Sequence, residues 1–213
     1  MEPDEMKRTV WDAHRNECQV AIHAIGDRAI EYAINCIQDS LQKLPKKDHR
    51  HRIEHCEVLT TQQIERLKEL SIIPSMQPNF VGEWSGPESM YESRLGTRRD
   101  RTTNPYRALL DEGIIIAFGS DGMPFKPIYG IWSAVYHPFK ESRINLEEAV
   151  QCYSLNSAYA SYEERYKGSL EPGKLADIAV FEKDLTEITG EELKECETYM
   201  TLVGGKILFH KEF

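Results

Sequence analysis

The sequence predicts an α/β protein built on a parallel sheet of the β/α-barrel type, and two observations carry that expectation. Helical and short apolar strand-like segments alternate from the N-terminus to the helix expected over 146–155, a pattern that gives parallel strands joined by right-handed crossovers. Three strand-like stretches also end in a residue that can bind a metal. QVAIHAIGDR at Gln19–Arg28 ends its apolar run in His23, RIEHCE at Arg52–Glu57 ends its strand in His55, and IIIAFGSDGMP at Ile114–Pro124 ends in Asp121. A β/α barrel assembles its active site at the C-terminal ends of its strands, so these three residues are expected to converge.

In chain order, Glu5–Asn16 reads as a helix leading into a strand at Val20–His23. Ala29–Leu44 is a helix with Ala29, Ile30, Ala33, Ile34 and Ile37 on one face, ended by Pro45. Arg52–His55 is the next strand. Thr60 with Gln63 fits a capping box for a helix at Gln62–Leu70. Ile72–Met76 follows as a strand interrupted by Pro74. Pro78–Thr103 is polar and rich in Gly, Pro, Arg and Trp, which suggests a long loop with at most short helices. Asn104-Pro105 reads as an N-cap followed by proline at the first helical position, and Gly113 closes that helix. The apolar run Ile114–Phe118 fits a buried parallel strand, and Asn145 with Glu148 caps a helix at Leu146–Leu155. Beyond this the character changes. Gly168–Phe181 is turn-rich and then strand-like, Glu191–Cys196 is a short acidic helix, and Thr201–Phe209 reads as two strand halves about Gly204-Gly205. The expected division is a partial β/α lobe over 1–166 and a β-rich arm over 167–213.

The net charge of −9 argues against nucleic-acid or anionic-membrane partners. No apolar run reaches the roughly 18 residues of a membrane span, and the polar start MEPDEMKRTV does not resemble a secretory signal. Five cysteines without a C-x-x-C pair suit reduced thiols and a cytoplasmic location.

Two histidines and a carboxylate are the residue types a hydrolytic metal site uses: neutral imidazoles and a carboxylate hold a cation that activates water, and the carboxylate takes the proton. The His49-Arg50-His51 pair is a decoy. Four residues of strand span about 13 Å, against about 2 Å for a metal–imidazole bond, which places His51 at the opposite end of its strand from His55. By alternation Arg52 and Glu54 are expected to face the covering helices. Asp27, after Gly26, reads as an N-cap. Gln77, at the end of its strand, is a candidate substrate contact or simply a polar turn residue. His137 reads as exposed loop. Trp84, Arg94, Arg98 and Arg99 form either a lid over an anionic substrate or a solvated basic segment.

VAIHAIGDRA at Val20–Ala29, HRIEHCE at His51–Glu57 and FGSDGMP at Phe118–Pro124, with GSLEPGKLADIAVFEKD and LVGGKILF in the tail, resemble the C-terminal half of a metal-dependent amidohydrolase of the third amidohydrolase family, a branch similar to N-substituted formamide deformylases. The resemblance implies the last four strands, five to eight, of a TIM-type (β/α)8 barrel plus the C-terminal arm of a small β-sandwich domain. It implies that His23 and His55 are the metal ligands ending strands five and six, and that Asp121 is the strand-eight ligand and general base. The implied cofactor is a divalent metal, with zinc first and one or two ions in full-length relatives. The implied reaction is hydrolysis of non-peptide amide or other C–N bonds in a small-molecule substrate. The H-x-H pair of strand one and the carboxylated lysine of strand four have no counterpart here, so strands one to four are expected from elsewhere and self-association is expected of an open sheet. Three readings stay open: a hydrolase lobe that needs the missing half, a catalytically inactive fragment that oligomerises, and a metal-binding module.

Overall fold

The protein is described by a computed structural model over residues 2–123 and 125–212; Met1, Phe213 and the Pro124 of the FGSDGMP stretch lie outside the described residues. The elements run α1 (Pro3–Arg15), β1 (Ala21–Ala24), α2 (Asp27–Lys43), β2 (Arg52–His55), α3 (Thr61–Glu69), β3 (Ile73–Met76), α4 (Pro78–Trp84), α5 (Met90–Leu95), α6 (Thr97–Asp100), α7 (Tyr106–Asp111), β4 (Ala117–Phe118), α8 (Pro127–Val135), α9 (Leu146–Tyr153), α10 (Leu155–Ala160), β5 (Ile178–Phe181), α11 (Glu191–Lys194), β6 (Thr198–Val203) and β7 (Lys206–His210). Strands β1 to β4 form a parallel sheet in the order β1-β2-β3-β4. That order has no reversal, which separates it from doubly wound sheets.

The core lies between this sheet and its helices. Ile30, Ile34 and Ile37 of α2, Leu67 of α3 and Ile53 of β2 are fully buried in one cluster. Both capping boxes form: the Thr60 hydroxyl accepts from the Gln63 N–H while Gln63 Oε1 accepts from the Thr60 N–H, and Asn145 and Glu148 do the same. Pro74 sits inside β3 opposite Ile53.

Several sequence expectations are corrected. Only Ala117–Phe118 of the Ile114–Phe118 run pairs as a strand. Asn104 is not an N-cap: the cap position of α7 falls at Pro105, and Asn104 takes a left-handed φ of 49° while its N–H donates to the Glu57 carbonyl. Asp27 is likewise the first residue of α2, with Gly26 at the cap position. Helix α8, PIYGIWSAV, carries no periodic signal in the sequence because it is apolar nearly all round, so no face stands out. His137 is buried, not an exposed loop residue.

Strands β5, β6 and β7 form a separate antiparallel sheet. Gly204 and Gly205, at φ 55° and 76°, join β6 to β7. Two consecutive positive φ values are what a two-residue type I′ hairpin requires, and two glycines adopt them without steric cost. Leu193 of α11 reaches the main core.

Candidate metal centre

The candidate ligands lie at or just beyond the C-terminal ends of their strands: His23 is the penultimate residue of β1, His55 the last of β2, and Asp121 follows the end of β4 by three residues. In β1, His23 pairs laterally with Glu54, and Ala24 with His55. Strict alternation would therefore put His55 on the same face as the buried Ala24 and Ile53, and Arg52 and Glu54 on the opposite one. The observed burial agrees for the latter pair. Ile53 joins the helix-side core, while Arg52 and Glu54 stay partly exposed and bond to each other at 2.7 Å, contrary to the expectation that they face the helices. His55 escapes the alternation because it and Cys56 adopt left-handed backbone, at φ 74° and 52°. A β-strand side chain at positive φ is re-aimed out of register, a strained arrangement that clusters at functional sites.

Re-aimed in this way, the His55 ring meets His23 edge-on, with ring centroids 4.5 Å apart, and its Nε2 lies 3.7 Å from Asp121 Oδ2. Phe80 stacks nearly parallel on it at 5.9 Å. Asp121 also has left-handed backbone, φ 53°, its Oδ1 accepts from the Gly122 N–H at 2.7 Å, and its side chain is half exposed. Burial and the neighbouring His23 hold the His55 imidazole below the usual histidine range, with Asp121, Glu54 and Gln77 acting in the other direction. His55 is thereby neutral near pH 7, the form a metal needs. Cys56, fully buried, has its thiol pushed up by desolvation and is not a thiolate ligand.

The donor set fits a divalent cation in chemistry and in part in spacing. Two ligands each about 2.1 Å from one tetrahedral ion stand about 3.4 Å apart, close to the His55–Asp121 separation. The three candidates meet only in pairs, however: among the described residues no group of three or more His, Cys, Asp or Glu side chains is arranged to hold a metal. Gln77 is buried, with Nε2 donating to the Ser75 carbonyl at 3.1 Å and Oε1 unpartnered. Trp84 packs between Phe80 and Tyr91, Arg99 pairs with Asp27 at 2.9 Å, and Arg94 and Arg98 are exposed.

At the opposite end of the sheet, His49 and His51 join His14 in a buried relay. The His51 N–H donates to His49 Nδ1 at 2.9 Å and the Val20 N–H to His51 Nδ1 at 3.2 Å. Those rings are therefore protonated on Nε2, which reach the Leu70 carbonyl at 2.8 Å and His14 Nδ1 at 2.8 Å; His14 Nε2 in turn donates to the Leu44 carbonyl at 2.7 Å. With every ring nitrogen engaged, the relay has no donor left for a metal.

Sequence reasoning missed two residues beside the centre. Glu57 is buried, with Oε1 3.9 Å from His55 Nδ1, and its Oε2 accepts from the Tyr91 hydroxyl. Burial raises the Glu57 carboxyl and the Tyr91 hydrogen bond opposes that. The signal for Glu57 was its place two residues beyond His55; nothing in the sequence spacing pointed to Tyr91.

Comparison with known proteins bears on this arrangement. A family model described as amidohydrolase family matches residues 1–209. The YtcJ protein of Bacillus subtilis (strain 168) is 32% identical over 98% of this chain and 40% of its own length. The N-substituted formamide deformylase of Arthrobacter pascens is 25% identical over 90% of this chain and 36% of its own. An uncharacterized metal-dependent hydrolase from Pyrococcus furiosus superposes with a TM-score of 0.69 at 29% identity, covering 82% of this chain and 35% of that one. The chain thus spans about two fifths of the length of the curated relatives it matches.

Proposed function

The chain belongs to the amidohydrolase family, and from that premise we propose that it contributes His23, His55 and Asp121 to the metal centre of a hydrolase acting on non-peptide C–N bonds. The carrying observation is His55, turned out of strand register to lie between His23 and Asp121 at the C-terminal ends of parallel strands. A bound divalent cation, zinc being the first candidate for two imidazoles and a carboxylate, supplies Lewis acidity and lowers the pKa of water. His23 and His55 would hold it through ring nitrogens. Asp121, half exposed and so open to a substrate, accepts the proton from the attacking water at Oδ2 and returns it to the leaving nitrogen. Substrates of the class named for the Arthrobacter pascens relative, N-substituted formamides, are the first to assay.

We further propose that β1 to β4 are four consecutive strands of a (β/α)8 barrel, within a lobe at 1–166, and that 167–213 is the arm of a smaller β-domain. The proposal is supported by the sequential strand order and by the separate antiparallel sheet. On this reading the other four strands of such a barrel are supplied by a longer protein or by a second copy of this chain. Ligands that meet only in pairs favour a second reading, a metal-binding or inactive lobe.

Hydrolysis assays with added divalent cation separate the two. Asp121→Asn is expected to lower turnover by about 10²–10⁴-fold while the rest of the ligand set keeps its metal. Turnover unchanged in Asp121→Asn would remove the general-base role, and turnover by the unaltered chain would exclude the second reading.

A further inference from the structure

We infer that Glu57 is a positioning residue: held by the Tyr91 hydroxyl, its carboxylate keeps the proton of His55 on Nδ1 and so leaves Nε2 free to face His23 and Asp121. The relevance of that tautomer to a cation rests on the metal-centre reading above; the tautomer itself does not.

The His55 ring is confined on every side. Phe80 stacks on its face, His23 meets it edge-on, and Nε2 points towards Asp121. That leaves Nδ1, a buried nitrogen with no hydrogen bond of normal length; Gln77 Oε1 is a second buried, unpartnered acceptor beside the ring, and the nearest carboxylate to Nδ1 is Glu57 Oε1 at 3.9 Å. The separation exceeds a hydrogen bond by about 1 Å, and contacts of this kind lengthen in unloaded sites and tighten on loading. Glu57 is itself fixed from two directions. Its Oε2 accepts from Tyr91 of α5, and its backbone carbonyl accepts from the Asn104 N–H at 2.8 Å. A carboxylate that already accepts from a phenol has lone pairs left for one more donor, and the Nδ1–H of a neutral His55 comes into reach of them once the 3.9 Å gap closes by about 1 Å. This gives the segment between β3 and β4 a role that neither a lid nor a solvated basic loop describes. Phe80 and Tyr91, both from that segment, buttress a ligand carried by β2. Histidines that bind metals commonly donate their second ring proton to a carboxylate in this way.

Long-range ¹H–¹⁵N NMR of the histidine side chains in the metal-free chain tests the inference, with the His55 signals assigned by their loss in His55→Gln. The expected result is His55 protonated on Nδ1, retained in Glu57→Gln, which keeps an acceptor oxygen, and shifted to the Nε2–H form in Glu57→Leu. Zinc titration is then expected to show an affinity about 10–100-fold weaker in Glu57→Leu than in the unaltered chain. His55 protonated on Nε2 in the unaltered chain overturns the inference, and so does an Nδ1–H form that survives Glu57→Leu; the first of these needs no variant to fold. Absence of zinc binding alongside an Nδ1–H His55 that responds to Glu57→Leu would overturn the metal-centre reading and leave the positioning role standing.

Discussion

His14, His49 and His51 occupy a fully specified relay in which each Nδ1 accepts and each Nε2 donates. A second proton on His49 or His51 would put an N–H against a backbone N–H already pointing at it. Burial, the two neighbouring histidines and Lys46 push His51 down to about 3, and burial likewise lowers His49. The unfolded imidazole titrates near 6.5, so between about 6.5 and about 3 the unfolded chain binds more protons than the folded one. Stability is therefore complete above the upper value and is lost as pH falls through that window. Denaturant midpoints measured across it should drop, and the drop should be shallower in His51→Gln; an equal slope in both would show that other groups carry the effect. Residue chemistry was only partly legible in the sequence. Placing His51 and His55 at opposite ends of one strand needed only strand rise. The direction in which His55 points depends on two left-handed residues that nothing in RIEHCE announces, and counting alternation from a site-facing His55 assigned Arg52 and Glu54 to the wrong face.

At the scale of elements, the two capping boxes and the glycine pair read true, whereas the cap signals at Asn104-Pro105 and Asp27 were each displaced by one residue. The capping boxes at Thr60–Gln63 and Asn145–Glu148 formed as expected because both partners lie within one turn. Thr60→Ala should cost about 1 kcal/mol in chemical denaturation, and no loss would mean that helix α3 is held by packing alone. Gly204-Gly205 likewise specified its hairpin. Helix α8 was not legible because its reason is tertiary. It packs on α4 through glycine, and a Cβ at Gly130 would collide with the Tyr153 hydroxyl and, at 2.5 Å, with Asn79 Oδ1, which are bonded to each other at 2.9 Å. Gly130→Ala should destabilise by about 1–3 kcal/mol through overpacking; a neutral result would show that the helix pair can shift apart. Asn104 looked like a cap only because its true bond, to Glu57, lies far away in sequence.

For the whole molecule, the alternation of helices and strands made the four-stranded parallel sheet legible. His23, Ala21 and Ile22 border an apolar groove with Met6 and Val10 beside β1, and β7 exposes Ile207, Leu208 and Phe209. Unpaired edges and apolar faces of this kind recruit further strands. Light scattering should find a mass above that of one chain, and a well-behaved monomer would contradict self-association. The central claim, that His23, His55 and Asp121 form one metal centre, is tested most directly by calorimetric titration of zinc into the purified chain beside its His23→Ala and His55→Ala variants. The account predicts near-stoichiometric binding in the unaltered chain and loss of that binding in each variant. Binding that is absent in all three, or equal in all three, would contradict it.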